Sequence, residues 1–112
     1  MFTTPKEFPE PGFYYHYKHN QEKGVGDYAY EFLSVGFHTE TGEAFVNYRP
    51  LYREASVYKA SLEMGVPAND TRPLNMWMEN VTKNGETILR FRKINDPSII
   101  SQLKGIRAQM YL

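Results

Sequence analysis

Histidine and glutamate residues form the one cluster in this 112-residue chain with metal-binding chemistry. Its members are His16, His19, His38, Glu40 and Glu43. Imidazole and carboxylate groups suit zinc, iron or nickel, but a site needs about three or four ligands that converge on the ion. Only His38 and Glu43 are expected to meet, across a predicted hairpin, where a His-Glu pair is more often a solvated ion pair. The spacing therefore predicts no metal and no cofactor.

A second use of these polar residues would be acid-base catalysis, because a histidine beside a carboxylate can transfer a proton near neutral pH. The hairpin end would then meet two arginines that hold an anionic substrate, with Trp77 as one wall of the pocket. The site would consist of His38, Glu40, Glu43, Arg72 and Arg90. The sequence contains no phosphate-binding loop and no nucleophile elbow. An enzyme or small-molecule-binding protein is therefore the alternative hypothesis, and the sequence leans against catalysis.

Aromatic residues beside basic ones give the preferred hypothesis. Alternation in the first predicted strand places Tyr14, His16 and Lys18 on its outer face. Phe45 is expected on the outer face of the next hairpin, with Arg92 nearby. Such surfaces stack unpaired bases or bind an extended peptide, so we predict a non-catalytic binding module for single-stranded nucleic acid or a protein segment. Its candidate ligand-binding residues are Tyr14, His16, Lys18, His38, Glu40, Glu43, Arg72, Trp77 and Arg90.

The amino-acid composition limits which of these functions are expected. Thirteen basic residues balance thirteen acidic ones, which argues against a strongly electrostatic nucleic-acid binder. Apolar residues make up 41% and aromatic residues 15%, so most of the chain is expected to fold, and its length allows one domain. The chain lacks cysteine, a long apolar run and a cationic leader, so we expect a cytoplasmic protein with no membrane partner.

Turn residues divide the chain into predicted elements. Strands are predicted at residues 13–18, 28–38, 43–49, 57–64 and 86–93. Asn84-Gly85 marks a tight turn before the last of them. A short helix is predicted over residues 74–81, capped by Asp70 or Thr71.

The hairpin around residues 39–42 has a predicted register. Counting outward from the loop pairs Phe37 with Ala44, Val35 with Val46 and Leu33 with Tyr48, all facing the core. The predicted core includes Leu33, Val35, Phe37, Val46, Tyr48, Leu89 and Phe91.

The C-terminal segment predicts a helix, because Asp96 can cap it, Pro97 suits its first turn and apolar residues follow at helical spacing. This apolar stripe must pack on the domain or against a second copy, so a homodimer is one hypothesis. We predict an extended lead-in over residues 1–11, a domain over residues 12–94 and this helix over residues 95–112. Five short strands with two helices predict a mainly β fold, a small antiparallel barrel.

Several separated motifs resemble one known family. They are Gly12-Phe13-Tyr14-Tyr15-His16-Tyr17-Lys18, His38-Thr39-Glu40-Thr41-Gly42-Glu43 with Val46 and Tyr48, Arg72-Pro73-Leu74 with Met76-Trp77, and Arg90-Phe91. Their order resembles the small bacterial and phage family called domain of unknown function 1653, over about residues 12–93. The resemblance implies an SH3-like β-barrel and no particular activity. His19 replaces a glycine of the pattern, residues 53–71 look longer than usual, and the terminal helix looks added.

Overall fold

A computed structural model describes residues 2–111, which form a mainly β protein, as predicted. The strands are β1 (Gly12–His16), β2 (Ala29–Phe37), β3 (Ala44–Pro50), β4 (Asp70–Pro73), β5 (Asn80–Lys83), β6 (Glu86–Leu89) and β7 (Phe91–Lys93). The helices are α1 (Ser56–Met64), α2 (Leu74–Trp77) and α3 (Pro97–Met110), and a short 3-10 turn covers Gln21–Lys23. None of the helices in this range is long and apolar enough to cross a lipid bilayer.

Five strands form one antiparallel sheet in the order β4-β3-β2-β1-β7, while β5 and β6 form a separate hairpin. Within residues 2–111 the edge strands β4 and β7 do not pair with each other, so the sheet stays open. The expected SH3-like barrel is therefore not confirmed.

The register predicted for β2 and β3 is confirmed near the loop, where Phe37 pairs with Ala44 and Val35 with Val46. Beyond that point a β-bulge between Phe32 and Ser34 shifts the pairing, and Tyr48 lies opposite Phe32. A bulge adds one residue to the strand and so reverses the alternation of its side chains beyond that point. A side chain that strict alternation would direct toward the core then faces solvent. Leu33 is 41% exposed, and its predicted place in the core is wrong.

Residues 57–64 form a helix, so the strand predicted there is wrong. The segment Ser-Val-Tyr-Lys-Ala-Ser-Leu-Glu-Met contains strong helix formers, and Gly65 ends the helix in the left-handed conformation with φ of 71°. Tyr58 is the buried residue of α1. In a segment this short, the same spacing of apolar residues is compatible with a strand and with a short helix, so the pattern alone does not distinguish them.

The helix predicted over residues 74–81 is a single turn, α2. Asp70 and Thr71 do not cap it; they belong to β4, which pairs with β3 at the edge of the sheet. The last two residues of the predicted helix, Asn80 and Val81, belong to β5 instead, because the Asn84-Gly85 turn folds this strand onto β6. Asn84 and Gly85 have φ values of 52° and 78°, which suit the tight turn that the sequence predicted.

The strand predicted over residues 86–93 is interrupted at Arg90, which separates β6 from β7. Its backbone N–H donates to the carbonyl oxygen of Glu79, and its own carbonyl oxygen accepts from the backbone N–H of Tyr17. Because β6 leaves the sheet, Leu89 is 53% exposed and its predicted place in the core is wrong. Phe91 is buried in β7, as predicted.

Both faces of the sheet are covered. One face carries the cluster Tyr14, Tyr30, Val46, Tyr48, Leu74, Trp77 and Phe91. The other carries Phe13, Tyr15, Ala29, Leu51, Ile94 and Leu103. Successive residues of β1 enter opposite clusters, so alternation no longer separates buried from exposed positions. Tyr14 is 5% exposed, and the expectation that it lies on an outer face is wrong.

Helix α3 lies against the second face. Asp96 caps it, with Oδ1 accepting from the backbone N–H groups of Ser98 and Ile99. The Glu31 carboxylate of β2 accepts from Arg107 at 2.6 Å. Leu103 is buried within this one chain, so its burial needs no second copy.

Candidate functional site

A cleft of about 550 Å³ lies where β1 ends beside β7 and the β5–β6 hairpin. We call it the basic cleft. Its lining residues are Tyr15, His16, Tyr17, His19, Asn80, Lys83, Thr87, Ile88, Leu89 and Arg92. Two of them are cationic and none is acidic, although acidic and basic residues are equal in number over the chain.

Two contacts place the cations of the basic cleft. The Nζ atom of Lys83, next to the Asn84-Gly85 turn, donates to the carbonyl oxygen of Tyr17 at 2.8 Å and so joins the hairpin to the end of β1. Arg92 lies opposite Tyr15 in the pairing of β1 with β7. Lys83 and Arg92 are exposed, so a ligand can reach both charges.

Four aromatic side chains, Tyr15, His16, Tyr17 and His19, also line the cleft. The rings of Tyr15 and His19 are stacked, with centroids 3.6 Å apart. His19 Nδ1 donates to the carbonyl oxygen of Asp27 at 2.5 Å, which holds its ring in place. The half-buried Tyr17 ring has the ammonium of Lys18 at 6.0 Å from its centroid, so Lys18 adds a charge at the rim.

A smaller recess of about 280 Å³ continues the cleft toward α3. It shares Tyr15, His19 and Arg92 with the basic cleft, and its other lining residues are Gln21, Val25, Ile99 and Gln102. No carboxylate lines this recess either.

His16 separates the basic cleft from the aromatic cluster that contains Phe91. Burial, followed by the charges of Arg72, Lys18 and Arg90, lowers the pKa of His16 to about 4. The ring is therefore neutral at pH 7. Its Nδ1 accepts from the backbone N–H of Lys18 at 3.2 Å, which places the proton on Nε2 and makes that atom a donor.

The two arginines named from the sequence lie beside the same cluster. The guanidinium carbon of Arg72 is 5.5 Å from the ring centroid of Phe91, and Arg72 Nε lies 3.4 Å from the hydroxyl of Tyr48. Trp77 stacks on Phe91 with centroids 3.7 Å apart. Arg90 immediately precedes Phe91 and binds the carboxylate of Glu79 at 2.9 Å. These side chains form what we call the arginine face.

The predicted site residues thus lie in three places. Tyr14, His16, Arg72, Trp77 and Arg90 lie in or beside the aromatic cluster, and Lys18 stands at the rim of the basic cleft. His38, Glu40 and Glu43 lie together on the exposed hairpin loop.

The hairpin group does not join the arginines. His38 Nδ1 accepts from the backbone N–H groups of Glu40 and Thr41, so its ring stabilises the loop itself. Within residues 2–111 no hydrogen bond or ion pair connects this loop to Arg72 or Arg90. The same range contains no group of three or more His, Asp or Glu side chains placed to hold a metal ion.

Sequence reasoning missed Tyr17, His19 and Lys83 as lining residues of one cleft. The Asn84-Gly85 turn was the available signal, because it fixes Lys83 at the end of a hairpin. The packing of that hairpin against β1 has no signature in the local sequence.

The fold and the cleft define a small, mainly β domain with a ligand-sized depression at one end of its sheet. The chain matches the model of the family described as "Protein of unknown function (DUF1653)" over residues 12–93, so it belongs to that family, as the resemblance predicted.

Among solved structures, the chain is similar to the crystal structure of a DUF1653 protein from Bordetella bronchiseptica. The two share 28% sequence identity with a TM-score of 0.56, over 76% of this chain and 86% of that one. No curated protein matches the chain. Because the family name carries no activity, function has to be argued from the site.

Proposed function

We propose that this protein is a non-catalytic binding module that holds a short stretch of single-stranded nucleic acid in the basic cleft. The observation that carries the proposal is the lining of the cleft, which combines Lys83 and Arg92 with aromatic rings and contains no carboxylate. In this proposal residues 12–94 form the binding domain, and α3 (Pro97–Met110) supports its sheet.

Each part of the lining has a role in binding. Lys83 and Arg92 neutralise phosphate groups, and arginine can donate two parallel hydrogen bonds to one phosphate. The half-buried ring of Tyr17 offers a surface for a base, since stacking on an aromatic residue tolerates any base. Nε2 of His16, which carries a proton at neutral pH, can donate to a base edge or a phosphate.

The size of the cleft sets the length of the ligand. Its volume of about 550 Å³ lies within the range of about 300–1000 Å³ that is typical of small-ligand sites. The cleft suits about one or two nucleotides of an unpaired strand, not a duplex. No carboxylate lines the cleft to orient or activate His16, whose Nδ1 already accepts from the backbone N–H of Lys18, which supports a binding role over catalysis.

Fluorescence anisotropy of a labelled oligothymidine tests this proposal. We expect saturable binding that weakens about fivefold or more in Tyr17→Ala, since stacking contributes about 1–3 kcal/mol per base. Arg92→Gln should weaken binding as well, whereas Lys104→Gln, which removes an exposed charge from α3, should not. An acidic peptide is the competitor. If it binds as well as the oligonucleotide with the same dependence on Tyr17, the ligand is a protein segment and the proposal fails.

A further inference from the structure

We propose that the arginine face is a second site, separate from the basic cleft, that binds one small oxyanion, either a phosphate monoester or a carboxylate. The proposal rests on unused donors of two arginines: Arg72 forms no ion pair among the described residues, and Arg90 has a buried Nε without a hydrogen-bond partner, although one of its terminal nitrogens binds Glu79. It does not depend on the nucleic-acid proposal, because neither arginine lines the basic cleft.

Arg72 extends from the edge strand β4 beside the ring of Phe91. It is half-buried, yet within residues 2–111 it forms no ion pair, and its side-chain hydrogen bond is the long one from Nε to the Tyr48 hydroxyl. Asp70 lies two positions earlier on β4, and burial raises the pKa of its carboxyl even though Arg72 acts in the opposite direction. Within residues 2–111 no salt bridge joins the Asp70 and Arg72 side chains.

Arg90 supplies the second, independent observation. One terminal nitrogen binds Glu79, whose side chain is 46% exposed, while the Arg90 side chain is only 18% exposed. Its Nε is buried without a hydrogen-bond partner, the one such side-chain nitrogen or oxygen among the described residues. Buried donors are almost always paired in folded proteins, and the Arg90 side chain is partly exposed, so its unpaired Nε indicates a missing acceptor.

An oxyanion is the acceptor that fits this place, because Arg72 and Arg90 lie beside a neutral imidazole, and of the two nearby carboxylates, Glu79 and Asp70, only Glu79 forms an ion pair with either arginine. Guanidinium groups bind carboxylates and phosphates through paired, charge-assisted hydrogen bonds. The stacked rings of Trp77 and Phe91 form a rigid, apolar wall beside the guanidinium of Arg72. In such surroundings an ion pair is stronger than in water.

Nitrogen-15 NMR of the arginine side chains in the full chain tests the site. Inorganic phosphate and acetate are titrated separately at constant ionic strength, with chloride as the balancing anion. We expect the Nε–H signals of Arg90 and Arg72 to shift saturably with at least one oxyanion, while that of the exposed Arg53 does not shift. The phosphate arm identifies a phosphate monoester as the ligand class, and the acetate arm identifies a carboxylate.

Substitution of Arg72 tests whether the two arginines bind the same anion. Arg72→Gln should abolish the shift at Arg90 while leaving oligonucleotide binding in the basic cleft unchanged. If Arg72→Gln does not fold, Arg72→Lys keeps the charge but loses the paired hydrogen bonds, and should weaken the shift at Arg90 at least fivefold. Arg90 and Arg72 signals that stay fixed in both titrations, or that move linearly together with Arg53, would overturn the proposal.

Discussion

His16 lies at the boundary between the basic cleft and the arginine face. Its residue type marks it from the sequence as a candidate for function, but its protonation state depends on burial and on Arg72 and Arg90, which are far away in the chain. Tyr14 shows the same limit. Alternation correctly puts neighbouring residues of β1 on opposite sides of the sheet, yet cannot reveal that both sides are covered.

The lowered pKa of His16 predicts how stability depends on pH. With a pKa of about 4 in the folded state against an ordinary value of 6.5, the unfolded chain takes up this proton first as the pH falls. The contribution of neutral His16 to the free energy of unfolding is therefore fully present above about pH 6.5 and is lost as the pH falls toward about 4. As the pH falls from about 7 to about 4.5, protonation of His16 in the unfolded chain should lower the free energy of unfolding by about 2 kcal/mol.

Urea denaturation at these two pH values measures the effect. In His16→Gln this part of the pH dependence should disappear, whereas Lys104→Gln, an exposed change on α3, should keep it. An equal loss of stability in the natural chain and in His16→Gln would show that His16 is not held neutral.

The elements show which local patterns carry long-range information. The β2–β3 hairpin is predictable near its loop, because turn length fixes the register there. The bulge at Leu33 and the helix at residues 56–64 are not, since each is selected by packing partners elsewhere in the chain. The basic cleft was missed for the same reason: the hydrogen bond from Lys83 to Tyr17 joins residues 66 positions apart.

Two glycines in or next to helices should respond in opposite ways to alanine. Gly105 lies within α3 with no atom near the position of a Cβ, so Gly105→Ala should stabilise the protein by about 0.5–1 kcal/mol. Gly65 ends α1 with φ of 71°, so Gly65→Ala should destabilise it by about 1 kcal/mol. Thermal unfolding measures both, and a lower melting temperature for Gly105→Ala would contradict the placement of α3.

The ion pairs of Glu31 connect α3 to the sheet. Its carboxylate is 14% exposed and accepts from Arg49 at 2.8 Å and from Arg107 at 2.6 Å. Glu31→Gln leaves two partly buried guanidinium groups without an anion and should lower the unfolding free energy by about 1–3 kcal/mol. Glu63→Gln, an exposed change on α1, is the control. If the two variants unfolded at the same denaturant concentration, α3 would not depend on this contact.

At the scale of the whole molecule, charge is separated within a chain whose net charge is zero. A protein with a large positive field binds nucleic acid through many phosphate contacts and depends steeply on salt. Here the proposal limits the contacts to the basic cleft, so binding should be local and modest. Composition alone argued against strong electrostatic binding, and only the folded chain reveals a surface from which carboxylates are absent.

The salt dependence of oligothymidine binding tests this account most directly. Each phosphate neutralised on a single strand contributes about −0.7 to the slope of log K against log salt concentration. Contacts from Lys83 and Arg92 therefore predict a slope of about −1.4, which falls to about −0.7 in Lys83→Gln and stays unchanged in Lys104→Gln. A slope that Lys83→Gln does not alter, or that Lys104→Gln alters equally, would contradict binding in the basic cleft.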